Sequence, residues 1–139
     1  MIDCSCFNLT PLSISQILIS LLLAICFLQS GIDKIIDYKG NLDWLKGHFA
    51  KTPLKNLVPF MLSVITVSEL LGGFLCLVGI FDFLMNGTKT LIFYGFVINA
   101  LSIVALFLGQ RLAKDYDGAA VLLGYFMLTI IGILSFSAF

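Results

Sequence analysis

Charge is what this chain has least of. Only 12% of its 139 residues are Asp, Glu, Lys or Arg, and the 8 basic residues cancel the 8 acidic ones. A soluble domain carries about 25% charged residues, so a water-facing enzyme surface cannot be built from this composition. Without a basic excess the chain is excluded as a nucleic-acid binder, and its apolar content excludes a disordered tail. Histidine is present once, as His48, with no second histidine and no acidic ligand pattern beside it, which argues against a metal centre. No Cys-x-x-Cys, phosphate loop, dinucleotide fingerprint or Ser-His-Asp arrangement occurs. The residues ahead of Leu12 hold no Lys or Arg, and no small-x-small cleavage pattern follows the apolar run. The first apolar run therefore reads as a retained helix, not a secretory signal peptide.

What is present is apolar sequence: 60% of the residues are hydrophobic, 13 of them Phe, and the mean hydropathy is +1.08. Four runs are long enough to cross ~30 Å of hydrocarbon at ~1.5 Å per residue. They cover about 12–32, 59–81, 88–109 and 118–139. The spacing predicts an all-α integral membrane protein, a four-transmembrane-helix bundle in a single domain. Thr10-Pro11 and Thr52-Pro53 read as helix starts, and Asn86-Gly87-Thr88 opens the third run. A second helix starting at Pro53 would carry Pro59 inside it and kink there. A short helix ending near Val58 with a fresh start at Pro59 is the alternative.

The joins between runs two and three and between runs three and four are short, which predicts antiparallel neighbours. Residues 33–58 form the long connection. Within it Leu42, Leu45 and Phe49 share helical spacing, flanked by Trp44 and His48 and interleaved with lysines, as in an amphipathic helix lying in the membrane interface. Lys34, Lys39, Lys46, Lys51, Lys55, Arg111 and Lys114 fall on one side of the four runs and Lys89 alone on the other. By the basic-residue bias, the long loop is cytoplasmic and both termini lie outside, in a bacterial inner membrane.

Glu69 is the one ionisable residue deep inside a run. A charged group there costs about 2.5–3.5 kcal/mol on insertion scales, so it must face the bundle. Counting from the run edges places Glu69 near the midplane and Asn99 at nearly the same depth. This predicts a buried Glu69–Asn99 hydrogen bond, with Tyr125 within reach and Glu69 protonated; the cluster serves either as a proton or ligand site or as polar glue. The loop carrying Gln110, Arg111, Lys114, Asp115 and Asp117 is a second candidate: Arg111 and Asp115 can pair across one helical turn, and Asp117 is placed to cap the fourth helix. Cys4 and Cys6, a Cys-x-Cys ahead of the first run, are candidates for redox work on an oxidising side, whereas Cys26 and Cys76 read as packing residues. Ser68, Gly72, Cys76 and Gly79 in the second run, and Ala120, Gly124 and Gly132 in the fourth, form small-residue stripes that let helices approach.

Three segments then carry a resemblance: Phe27-Leu-Gln29-Ser-Gly-Ile-Asp-Lys34, Glu69-Leu-Leu-Gly-Gly73, and Gly109-Gln-Arg-Leu-Ala-Lys-Asp-Tyr-Asp-Gly-Ala-Ala120. Together they resemble the DoxX family, small bacterial four-helix membrane proteins related to DoxD thiosulfate:quinone oxidoreductase subunits and to MauE redox-associated proteins. Asn41-Leu-Asp-Trp44, Gly47-His-Phe49 and Pro53-Leu54 look especially like versions from the Bacteroidota. The resemblance spans about residues 20–135 and implies a four-helix bundle with a polar loop after helix one, Gln29 and Lys34 marking the end of that helix. It also implies a link to quinone or thiol redox chemistry or to a membrane complex. The chain lacks the paired cysteines of a thiol oxidoreductase of related architecture, and no catalytic set is visible. The reading is therefore a non-catalytic accessory subunit or chaperone of a membrane complex, with the lipid bilayer, other inner-membrane proteins or further copies of itself as partners. A quinone- or thiol-handling protein, with quinone as the one candidate cofactor, and a small proton-coupled carrier centred on Glu69 are the alternatives.

Overall fold

The computed structural model describes residues 2–4 and 7–138. A short antiparallel hairpin, β1 (Ile2–Cys4) and β2 (Phe7–Leu9), comes first, pairing Ile2 with Leu9, Asp3 with Asn8 and Cys4 with Phe7. The apolar periodicity gave no sign of it. Five helices follow: α1 (Pro11–Ile36), α2 (Tyr38–His48), α3 (Val58–Asn86), α4 (Thr90–Leu112) and α5 (Tyr116–Ala138). Four of them, α1, α3, α4 and α5, are long and apolar enough to cross a membrane, the mark of a multi-pass membrane protein.

Local chemistry sets the helix ends. Thr10 accepts from the Ser13 N–H at 3.1 Å, and Pro11 occupies the first turn of α1, where its missing N–H costs nothing. Asp37 closes α1 and opens α2, accepting from the Gly40 N–H at 3.3 Å. Gly87, at φ +73°, ends α3 in the left-handed conformation and returns its N–H to the Phe83 carbonyl. Each of the four apolar runs appears as a helix, and most helix ends run past the run edges; α4 instead starts late, at Thr90, because Asn86 and Gly87 close α3 and do not open the third run.

Two expectations about the second run resolve differently. Thr52-Pro53 does not start a helix. The Thr52 hydroxyl donates to the Phe49 carbonyl at 2.8 Å and accepts from the Leu54 N–H at 3.2 Å, tying a run of turns after α2. α3 begins afresh at Val58 with Pro59 in its first turn, so no interior hydrogen bond is lost and no kink is imposed.

α3 packs between α1 and α4, and α4 packs against α5. The core is Leu23, Ala24, Phe27, Cys76, Phe83, Ile92, Phe96 and Ile103. The α3–α4 contact is close enough to require glycine. A Cβ on Gly79 would stand 2.8 Å from the Ile92 backbone nitrogen, and one on Gly95 would stand 3.0 Å from that of Cys76. Hydroxyls add cross-helix bonds where both backbones are near: Ser20 donates to the Cys76 carbonyl at 2.8 Å, Gln16 to Ser135 at 2.7 Å, and Ser68 meets Ser102. The α3 stripe thus packs helices, as its spacing predicts. The α5 stripe does so only in part: Gly132 receives the Phe96 ring, whereas Ala120 is exposed and nothing lies within 4 Å of a Cβ on Gly124.

Candidate functional site

Lys34 sits in the last turn of α1, where a cation meets the negative end of the helix dipole. Its stem turns inward. The ammonium donates to Ser30 Oγ at 2.8 Å and lies 3.0 Å from Glu69 Oε1, with the two side chains 19% and 4% exposed. This contact with Lys34 stands where a Glu69–Asn99 hydrogen bond was expected. The reason is register. Gly31 abuts Leu70 and Gly73 abuts Leu28, so Glu69 faces the final turns of α1 and not the middle of the four helices. Gly72 faces Asn99 instead.

The contact between the Lys34 ammonium and Oε1 is ionic. Glu69 also lines a cavity of about 220 Å³ together with Cys26, Phe27, Ser30, Leu106 and Tyr125 among others. Tyr125 shares that cavity, as the depth argument anticipated, but no side-chain hydrogen bond joins it to Glu69. Asn99, fully buried, donates to Cys76 Sγ at 3.3 Å and leaves its Oδ1 unpartnered against Gly72.

The second candidate loop is organised by a residue that the sequence left isolated. His48, at the end of α2, stacks on Trp44 with ring centroids 4.6 Å apart. Its Nε2 donates to Gln110 Oε1 at 2.9 Å and stands 3.7 Å from Asp115 Oδ2. Gln110 and Asp115 therefore belong to one cluster that fastens α2 to the α4–α5 connection. Sixty-two positions separate His48 from Gln110, and no local spacing announces the contact.

Arg111 and Asp115 do not pair. α4 ends at Leu112 and Lys114 takes φ 61°, so the helical turn that would align them is broken. Arg111 lies over the Tyr116 ring at 4.6 Å. Asp115, not Asp117, caps α5, accepting from the Gly118 N–H at 3.0 Å; Asp117 is exposed in the first turn. Lys114 and Gln29 are both exposed and join neither cluster. The Cys4/Cys6 redox pair lies outside the described residues: Cys6 is not among them, and Cys4 is described only as backbone in β1. Cys26 and Cys76 are free thiols, Cys76 fully buried in the core. Among the described residues no group of three or more His, Cys, Asp or Glu side chains is placed to hold a metal ion. No family model, curated protein or solved structure matches this chain, so the likeness to the DoxX family stands on the three motifs alone.

Proposed function

We propose that the four long helices cross a bacterial inner membrane as a DoxX-like bundle, and that the bundle holds a small redox molecule of the quinone–quinol class beside Glu69. α2 lies in the cytoplasmic interface and both termini face outward. The orientation is supported by the basic residues: those of the long loop and of the α4–α5 connection gather at one end of the helices, with Lys89 at the other.

The observation that carries the ligand reading is the Glu69 carboxylate, paired with Lys34 and lining a cavity whose other walls are mostly apolar and aromatic. A carboxylate at a cavity wall accepts from its occupant, and a quinol hydroxyl is such a donor. Phe27 and Tyr125 offer ring faces, while Ser30 and Tyr125 offer hydroxyls for the opposite quinol oxygen. In this reading the chain holds the quinol ring and a partner takes its two electrons, the two protons leaving as it becomes the quinone.

The test is binding of a short-chain quinol analogue to the detergent-purified protein, followed by titration calorimetry. Saturable binding that weakens about tenfold in Glu69→Leu, the loss of one charge-assisted bond, supports the reading. An unaltered isotherm in that variant, or no saturable binding to the wild type, defeats it.

A second reading, an accessory subunit of a membrane complex, draws on α5. It is the least covered of the four long helices, and its Ala120–Gly124 face is open. Small residues allow a neighbouring helix to come close. A photocrosslinker at Gly124 that captures protein in native membranes supports this reading, and adducts to lipid alone defeat it.

A further inference from the structure

A second cavity, about 310 Å³, runs beneath α2 between α3 and α4. Trp44 and Phe49 line it from the roof, Phe60 and Met61 from α3, and Leu108 from α4. Its walls carry one charged side chain, Lys34, and one amide, Gln110. No residue within α2 is buried, but His48 ties it to the floor through Gln110 at 2.9 Å and Asp115 at 3.7 Å, and Phe49 just past its end is buried. Beside these ties the groove is open to the surface.

We propose that this groove binds a long-chain carboxylate, the anion of a single-chain fatty acid, with its tail along the apolar walls and its head on Lys34. The sign of the one lining charge selects an anionic head. The kind of anion is indicated by what the ammonium already holds: a carboxylate, Glu69, at 3.0 Å. A ligand carboxylate that takes over that place leaves Glu69 buried without its partner, so binding works against the cost of stranding that charge and is eased when Glu69 is made neutral. The volume lies at the low end of the roughly 300–1,000 Å³ of small-molecule sites, enough for one tail and too little for a two-chain phospholipid. The site is separate from the Glu69 cavity, although Leu106 lines both. Filling the groove draws Lys34 off Glu69, so the charge bordering the first cavity depends on the second. None of this requires the quinone reading.

Trp44 is the single tryptophan of the chain and lines the groove, so its fluorescence reports occupancy directly. The experiment titrates dibrominated stearate into protein held in bicelles of fixed lipid composition, beside its methyl ester and a dibrominated phosphatidylcholine. Saturable quenching by the free acid alone is expected. The neutral pair Lys34→Gln/Glu69→Gln, which keeps side-chain size without stranding a charge, should weaken binding about tenfold. Glu69→Gln alone removes the competing carboxylate and should tighten binding, an effect that a purely structural ion pair would not produce. Equal binding of the methyl ester, saturable quenching by the phospholipid, quenching that never saturates, or weaker binding in Glu69→Gln each overturns the proposal.

Discussion

The Lys34–Glu69 pair makes the most exacting test of the structure, through a double-mutant cycle of Lys34→Met and Glu69→Leu. At 3.0 Å two unit charges attract by about 5–6 kcal/mol at an effective dielectric near 20. Desolvation offsets much of that, which is why a buried pair replaced as a whole by apolar groups is often neutral. Removing one partner is different, because the other stays behind. Glu69, the more deeply buried of the two at 4% side-chain exposure against 19%, is the worse group to strand, so Lys34→Met should cost about 3–4 kcal/mol. Lys34, near the end of α1, turns to water more easily, and Glu69→Leu should cost about 1–2 kcal/mol. The double variant should lie within about 1 kcal/mol of wild type. The cycle then yields a coupling of at least about 3 kcal/mol, read from unfolding in mixed micelles of mild detergent and SDS. A coupling near 0.6 kcal/mol, the ordinary value for an interhelical hydrogen bond in a membrane protein, would refute the argument and return Glu69 to the role of polar glue.

Three further outcomes follow from the packing. Gly95→Ala drives a methyl group against Cys76 Sγ and its backbone nitrogen, at 2.7 and 3.0 Å, and should cost about 1–3 kcal/mol in the same unfolding assay; Gly124→Ala, in open space, should change stability by less than about 0.5 kcal/mol. Asp115→Ala removes the α5 cap and should cost about 1 kcal/mol, whereas Asp117→Ala should be close to neutral; equal losses would show that the cap is misassigned. Trp44, 61% exposed on α2, should be quenched most by spin labels near the lipid headgroups, and strongest quenching from labels deep in the acyl region would remove α2 from the interface.

The four long helices were legible because an apolar run of that length has one economical fate, and α2 was legible because Leu42, Leu45 and Phe49 keep helical spacing through a polar segment. Helix ends were less so: Thr52-Pro53 and Pro59 carry the same start signal, and only packing decides between them. The site was the least legible. Depth counted from the edges of apolar runs compared α3 with α4, whose facing ends do come together, and left out α1, which ends short of the start of α3. With Gly31 beside Leu70 and Leu28 beside Gly73, the first turns of α3 run on past the end of α1 and have no α1 to cover them. Those turns contain Val58 and Leu62, both almost fully buried, and they share a cavity with Leu45 and Phe49 from the α2 segment. The amphipathic loop and the unforeseen partner of Glu69 are thus one fact. Because α3 overshoots α1, the apolar side chains of the segment after α1 are needed beside its start, and Glu69 comes level with a lysine that the sequence assigned to the loop boundary. A polar partner for an intramembrane carboxylate is therefore better sought among basic residues in the last turn of the preceding helix than at matched depth on the next one.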